Sequence, residues 1–131
     1  MITCVCGLIG SGKSTFSKKC KVLVSELDEI GNKEKQIKFT LKNDKDGVDV
    51  YHVTCYPTSQ EIEAFASRDV EYVWINTNQA QAMRNILCRG RERDVRDIKE
   101  TKEKNREIAE KYRHSNIQFQ VINIFDSGER W

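Results

Sequence analysis

The 131-residue sequence predicts an α/β domain built on a five-stranded, mostly parallel sheet with helices on both faces. Short β-prone runs alternate with helix-compatible segments along the whole chain, and a parallel neighbour in a sheet requires such a crossover. The first run leads straight into Gly7-Leu8-Ile9-Gly10-Ser11-Gly12-Lys13-Ser14-Thr15, a glycine-rich turn between a strand and a helix. A chain of this length supports one three-layer core and leaves no room for a second module, so residues 1–131 are read as one domain.

Ile2-Thr3-Cys4-Val5-Cys6 is short, apolar and β-prone, as a buried parallel strand should be. Lys13 to Cys20 forms the helix after the glycine turn, and Lys21 to Ser25 is the second strand. Three acids follow at once: Glu26, Asp28 and Glu29. Residues just beyond the carboxyl ends of parallel strands line the ligand crevice of an open α/β sheet, so these acids share an edge with the glycine turn. In Asn32 to Lys45, Ile37, Phe39 and Leu41 alternate like a strand, yet Ile30, Ile37 and Leu41 share a helical face and Glu34 can pair with Lys38. The need for a crossover favours a helix ending near Gly47.

Val48 to Cys55 is the third strand, and after Pro57 the run Thr58-Ser59-Gln60-Glu61 has the form of a capping box that opens a helix to about Ala66. Glu71 to Asn76 is the fourth strand; Asn76 or Thr77 caps a helix to Arg89, with Gly90 as its stop. Asp94 starts a long polar helix to about His114, whose thin apolar stripe is Val95, Ile98, Ile108, Ala109 and Tyr112. Ile117 to Phe125 completes the sheet.

The glycine turn fits G-x-x-x-x-G-K-[ST], with Gly7, Gly12, Lys13 and Ser14 at the required positions. Glycines let the backbone wrap closely, so that successive amides face one phosphate group, and the positive end of the following helix faces it too. Gly7, Gly10, Ser11, Gly12, Lys13, Ser14 and Thr15 are therefore the expected nucleotide-binding residues. Lys13 reaches the β and γ phosphates, and the Ser14 hydroxyl is a ligand of Mg²⁺. A dinucleotide fingerprint fits less well, because the glycines at 7, 10 and 12 have the spacing G-x-x-G-x-G.

With 38% hydrophobic and 32% charged residues, the composition is that of a globular protein with a heavily solvated surface. No apolar run approaches the ~20 residues of a membrane helix, so a cytoplasmic protein with no membrane partner is expected. The five cysteines form no C-x-x-C pair, and reduced, mostly buried thiols are expected rather than a disulfide framework or a metal site. Formal charge is +2 overall; Arg84 to Arg113 holds eleven Lys/Arg against seven Asp/Glu, too small an excess to argue a broad nucleic-acid face.

The loop alone does not name a reaction. A GTPase needs N-K-x-D and a D-x-x-G switch after the third strand, where Thr54-Cys55-Tyr56-Pro57 stands instead. Glu26-Leu27-Asp28 after the second strand and Arg84-x-x-x-x-Arg89-x-Arg91-x-Arg93 after the fourth make the chain resemble the compact P-loop kinases: nucleoside monophosphate kinases, dephospho-coenzyme A kinase and the 5′-kinase domain of polynucleotide kinase. The resemblance implies the sheet order 2-3-1-4-5 and a lid-like segment over about residues 84–94. It also implies an ATP- and Mg²⁺-dependent kinase acting on a nucleotide, nucleoside or polynucleotide 5′ end.

A carboxylate at the acceptor can orient its hydroxyl and take its proton; Asp28 is the first choice, ahead of Glu26 and Glu29, and is also the second candidate metal ligand. Arg89, Arg91 and Arg93 suit charge developing on the transferred phosphoryl group. His52 and Trp74 are expected in the core, and Tyr56 and Trp131 can stack on a base. The third strand lacks an acid at its end. Two rival readings are a nucleoside-triphosphate-binding regulatory or assembly protein, and a nucleic-acid accessory factor using the Arg84 to Arg113 region.

Overall fold

β1, Ile2–Cys6, is buried at every position, because it lies in the middle of the sheet and its two side-chain faces are both covered. The structure is a computed structural model and describes residues 1–89 and 97–124. After β1 come α1 (Lys13–Lys19), β2 (Leu23–Ser25), α2 (Leu27–Ile30), α3 (Lys33–Lys45), β3 (Val50–Val53) and α4 (Ser59–Phe65). β4 (Val70–Ile75), α5 (Gln79–Arg89), α6 (Ile98–Arg113) and β5 (Phe119–Ile122) complete the described chain. The sheet runs β2-β3-β1-β4-β5 with every pairing parallel, in register at Cys4 opposite His52 on one side and Tyr72 on the other. This is the three-layer α/β/α architecture and strand order expected from the sequence.

Strand alternation divides the core. Val5, Val53, Val73 and Ile75 pack with Phe16 of α1 on one face. On the other, Ile2 meets Ile37 of α3 and Phe65 of α4, while Cys4, Cys6 and Trp74 meet Ile108, Ala109 and Tyr112 of α6. The Trp74 and Tyr112 rings stack with centroids 3.9 Å apart, which anchors α6 over β4. Trp74 and His52 are both core residues, as expected.

Asn32 to Lys45 resolves as a helix: Asn32 caps it by accepting from the Lys35 amide at 2.8 Å. Thr58 and Glu61 form both bonds of the capping box. The cap of α5 differs from expectation. Asn78, rather than Asn76 or Thr77, accepts from the Gln81 amide, because Thr77 spends its hydroxyl on the Ser11 carbonyl. The thiols also differ: Cys4 and Cys6 are buried, but Cys20 and Cys88 are exposed and Cys55 is half-buried, all of them free. Gly90, Arg91, Arg93, Asp94, Val95, Phe125 and Trp131 lie outside the described residues. Among the described residues no helix is long and apolar enough to cross a membrane.

Candidate active site

β1 runs out at a point where the chain crosses to β2 and β3 on one side and, later, to β4 on the other; such a switch in direction opens a crevice at the strand ends. The glycine loop fills that point. Each glycine has its own reason. A Cβ on Gly7 would stand 2.5 Å from Ser11 Oγ, and one on Gly10 would stand 2.5 Å from the Ala82 carbonyl and 2.7 Å from Ile86 Cγ1. Gly10 and Gly12 hold φ of 84° and 98°, in the left-handed region that side chains disfavour. Gly12 then caps α1.

The loop is tied from outside by Thr77 Oγ1 to the Ser11 carbonyl and Asn85 Nδ2 to the Gly10 carbonyl, each 2.8 Å, and by Asn105 to both backbone groups of Ile9. Lys13 Nζ donates to the carbonyls of Gly7 at 3.0 Å and Leu8 at 2.6 Å, which holds the ammonium across the loop. Among the described residues its third N–H meets no acceptor and can serve an anion.

A cleft of about 630 Å³ opens beside the loop. Gly10 to Ser14 form one end, and Glu26, Leu27 and Asp28 one wall. Thr54, Cys55 and Tyr56 lie past the end of β3, and Arg89 of α5 with Thr101, Lys104 and Lys111 of α6 also lines the space. The structure thus gathers Gly10, Ser11, Gly12, Lys13, Ser14, Asp28 and Arg89 around one space. Gly7 supports the loop from beneath, and Thr15 sits exposed on α1 without lining the cleft. Arg91 and Arg93 are outside the described residues. Arg84, at the start of the expected lid-like segment, lies on α5 and bonds Gln81 at 2.8 Å.

The three acids after β2 separate. Glu26, buried at the amino end of α2, accepts a hydrogen bond from the Ser14 hydroxyl. Asp28 lines the cleft from an exposed position, and Glu29 turns out of it toward Lys18, 3.8 Å away. Ser14 and Glu26 are hard oxygen donors side by side, a set that fits Mg²⁺. Gly10 and Gly12 present backbone without side chains to the cleft, which fits a phosphate chain.

Sequence reasoning missed the buried group behind the β3 wall. Glu61, fully buried in α4, accepts from the Thr58 amide at 3.0 Å, from the Thr54 hydroxyl at 3.3 Å, from His52 Nε2 and from Lys33 Nζ at 3.1 Å. His52 Nδ1 in turn meets the Thr40 hydroxyl at 2.7 Å, and Thr40 meets Ser25 at 2.7 Å. Burial alone would raise the Glu61 carboxyl, but the His52 and Thr58 hydrogen bonds and the Lys33 charge override it and hold it at about 2. Burial keeps His52 below its ordinary value despite Glu61, so a neutral ring donates Nε2–H to the carboxylate and accepts from Thr40. Lys33 lines the cleft. The available signal was the capping-box glutamate itself, read as a helix cap alone.

No family model matches the chain, and no curated protein matches it. Among solved structures it is similar to deoxyadenosine kinase from M. mycoides with products dCMP and a flexible dCDP bound, at TM-score 0.59 and 17% identity over 93% of this chain and 90% of that one. It is likewise similar to the same kinase with bound dATP, at TM-score 0.60 and 16% identity over 94% and 91%. At these identities the likeness is one of architecture: the chain has a kinase-like P-loop fold.

Proposed function

We propose that the protein is an ATP-dependent kinase that phosphorylates a hydroxyl group of a nucleoside. The observation that carries this reading is the Ser14–Glu26 contact: it joins the phosphate end of the glycine loop to a buried carboxylate on the acceptor wall of the same cleft. The similar solved structures are of a deoxyadenosine kinase, one with dATP bound, which supports the same chemistry.

Lys13 and the loop amides bind the triphosphate, while Ser14 Oγ and the Glu26 carboxylate would hold Mg²⁺, with Asp28 as a further candidate ligand. Bound there, the ion neutralises charge on the phosphate oxygens. The second oxygen of Glu26 takes the acceptor's proton as the acceptor oxygen bonds to the γ-phosphorus; the bond to the β-phosphate oxygen breaks and ADP leaves. Asp28, farther out on the rim, orients the acceptor. Arg89, together with Arg91 and Arg93, stabilises the transferring group.

The acceptor side favours an uncharged nucleoside over a nucleotide or a polynucleotide end. Among the described residues it carries Glu26 and Asp28, and its lysine, Lys33, is already balanced by Glu61. A phosphorylated acceptor would meet the carboxylates of Glu26 and Asp28 on that wall, whereas Lys33 can donate a hydrogen bond to a sugar or base oxygen.

The test is ADP release from ATP with nucleosides, nucleoside monophosphates and 5′-hydroxyl oligonucleotides as acceptors. Release should require a nucleoside and vanish in Lys13→Ala. Glu26→Gln should lower kcat by roughly a hundredfold or more, in the range of general-base losses, and Asp28→Asn should chiefly raise the acceptor KM. Loss of kcat in Asp28→Asn with only a higher Mg²⁺ requirement in Glu26→Gln would exchange the two roles. Hydrolysis indifferent to every acceptor would favour a nucleotide-binding regulatory protein.

A further inference from the structure

The outer side of the glycine loop is held by a belt of side chains that no sequence motif demands. Asn105, on α6 and 1% exposed, accepts the Ile9 N–H on Oδ1 at 2.7 Å and donates Nδ2–H to the Ile9 carbonyl at 3.1 Å. Asn85, on α5, donates to the next carbonyl, that of Gly10, at 2.8 Å. Thr77, after β4, donates to the one after that, of Ser11, at 2.8 Å. Three consecutive peptide carbonyls are therefore drawn outward by three different elements.

A trans peptide is planar, with its C=O and the following N–H pointing in opposite directions. Pulling the Ile9 carbonyl toward α6 therefore turns the Gly10 N–H away from α6, and pulling the Ser11 carbonyl toward Thr77 turns the Gly12 N–H the other way. The middle amide, of Ser11, closes the turn on the Leu8 carbonyl at 3.0 Å. Gly10 and Gly12 both line the cleft and both sit at positive φ, a conformation that an unsupported loop would leave readily. We propose that Asn105, Asn85 and Thr77 are positioning residues for the nucleotide donor: Asn105 and Thr77 set the peptide planes that aim the Gly10 and Gly12 amides at its phosphates, and Asn85 sets the plane whose Ser11 N–H closes the turn between them. This rests on the kinase reading above, because it assigns those amides to a triphosphate.

The burial pattern of α6 agrees. Its two buried positions are Thr101 and Asn105, polar residues that continue toward the amino end the same helix face that carries Ile108, Ala109 and Tyr112. A carboxamide placed there has nothing to gain from burial except the two backbone groups it pairs, since an unpaired buried amide is costly.

The experiment is calorimetric titration of ATP into the full chain and its Thr77→Val, Asn85→Ala and Asn105→Asp variants, with thermal unfolding of each and acceptor KM measured in parallel. Asn105→Asp keeps the acceptor for Ile9 N–H but sets an anionic oxygen against the Ile9 carbonyl, so ATP Kd should rise about tenfold or more, the loss of one good hydrogen bond. Asn85→Ala and Thr77→Val should each raise it by roughly three- to tenfold on the same basis. Acceptor KM should hold, a split that mere loss of stability would not produce. Asn43→Ala removes a helix asparagine bonded only to the Phe39 carbonyl and should leave ATP Kd unchanged. If Asn105→Asp does not fold, Asn85→Ala and Thr77→Val decide. Folded variants that bind ATP like the wild type overturn this inference alone, and a wild type that binds no ATP overturns the kinase reading with it.

Discussion

Gly10 stands at a position where the phosphate-loop pattern accepts any residue, yet the structure leaves it no alternative. Its φ is +84°, and a Cβ would meet a backbone carbonyl, that of Ala82, at 2.5 Å. Gly47 offers a control, with φ +83° and nothing within 4 Å of a Cβ. Gly47→Ala should cost about 1–2 kcal/mol, the left-handed penalty alone. Gly10→Ala should cost roughly 3 kcal/mol or more, because the helix carrying Ala82 must also shift. Urea unfolding of both variants measures the difference; equal losses would mean that the loop is not clamped against α5. The motif residues Gly12, Lys13 and Ser14 were legible from spacing alone. The need for glycine at 10 was not, since it arises from a contact with a residue far along the chain, and the choice of Glu26 against Ser14 depends on how the short α2 turns.

The elements that build the site are the ones whose periodicity was hardest to read. α3 buries Gln36, Thr40 and Asp44 beside Ile37, and α6 buries Thr101 and Asn105, so both show a weak apolar stripe where polar groups serve the interior instead. That is why Asn32 to Lys45 alternated like a strand and was assigned by the need for a crossover, and why the α6 contacts with the loop went unread. α4 was the opposite case, announced by its capping box. The cap carries two functions at separable cost. Thr58→Ala loses one reciprocal bond and should destabilise by about 1 kcal/mol. Glu61→Ala strands His52 and Lys33 as well and should cost about 3–5 kcal/mol, the range for a broken buried ion pair. Equal urea midpoints for the two variants would reduce Glu61 to an ordinary helix cap.

Across the whole molecule the parallel sheet followed from alternating elements and its strand order from the resemblance to compact kinases, but the pH response follows only from the folded arrangement. Glu61 has a carboxyl held at about 2 in the folded protein, against 4.5 for the free group. A depressed carboxyl contributes stability that is fully present above the unfolded value and disappears as pH falls through the folded one. The contribution is on the order of 3 kcal/mol, lost between about pH 4.5 and 2. His52 acts in the same direction at higher pH. Its folded value is lowered from 6.5 by burial, so below about pH 6.5 the unfolded chain takes up a proton that the folded ring refuses. Urea midpoints should therefore be level near pH 7, fall gently below pH 6.5, fall steeply below pH 4.5, and fall again in alkali, where the Met1 amine raised by Asp44 and Asp49 loses its proton. In Glu61→Gln the acid limb should flatten in part, because Glu61 no longer titrates there while Asp44, lowered despite burial by the Met1 amine and Arg68, still does, and the level at neutral pH drops, because Lys33 loses its counter-charge. A Glu61→Gln profile parallel to the wild type throughout would place the acid sensitivity in other groups than the Lys33–Glu61–His52 chain.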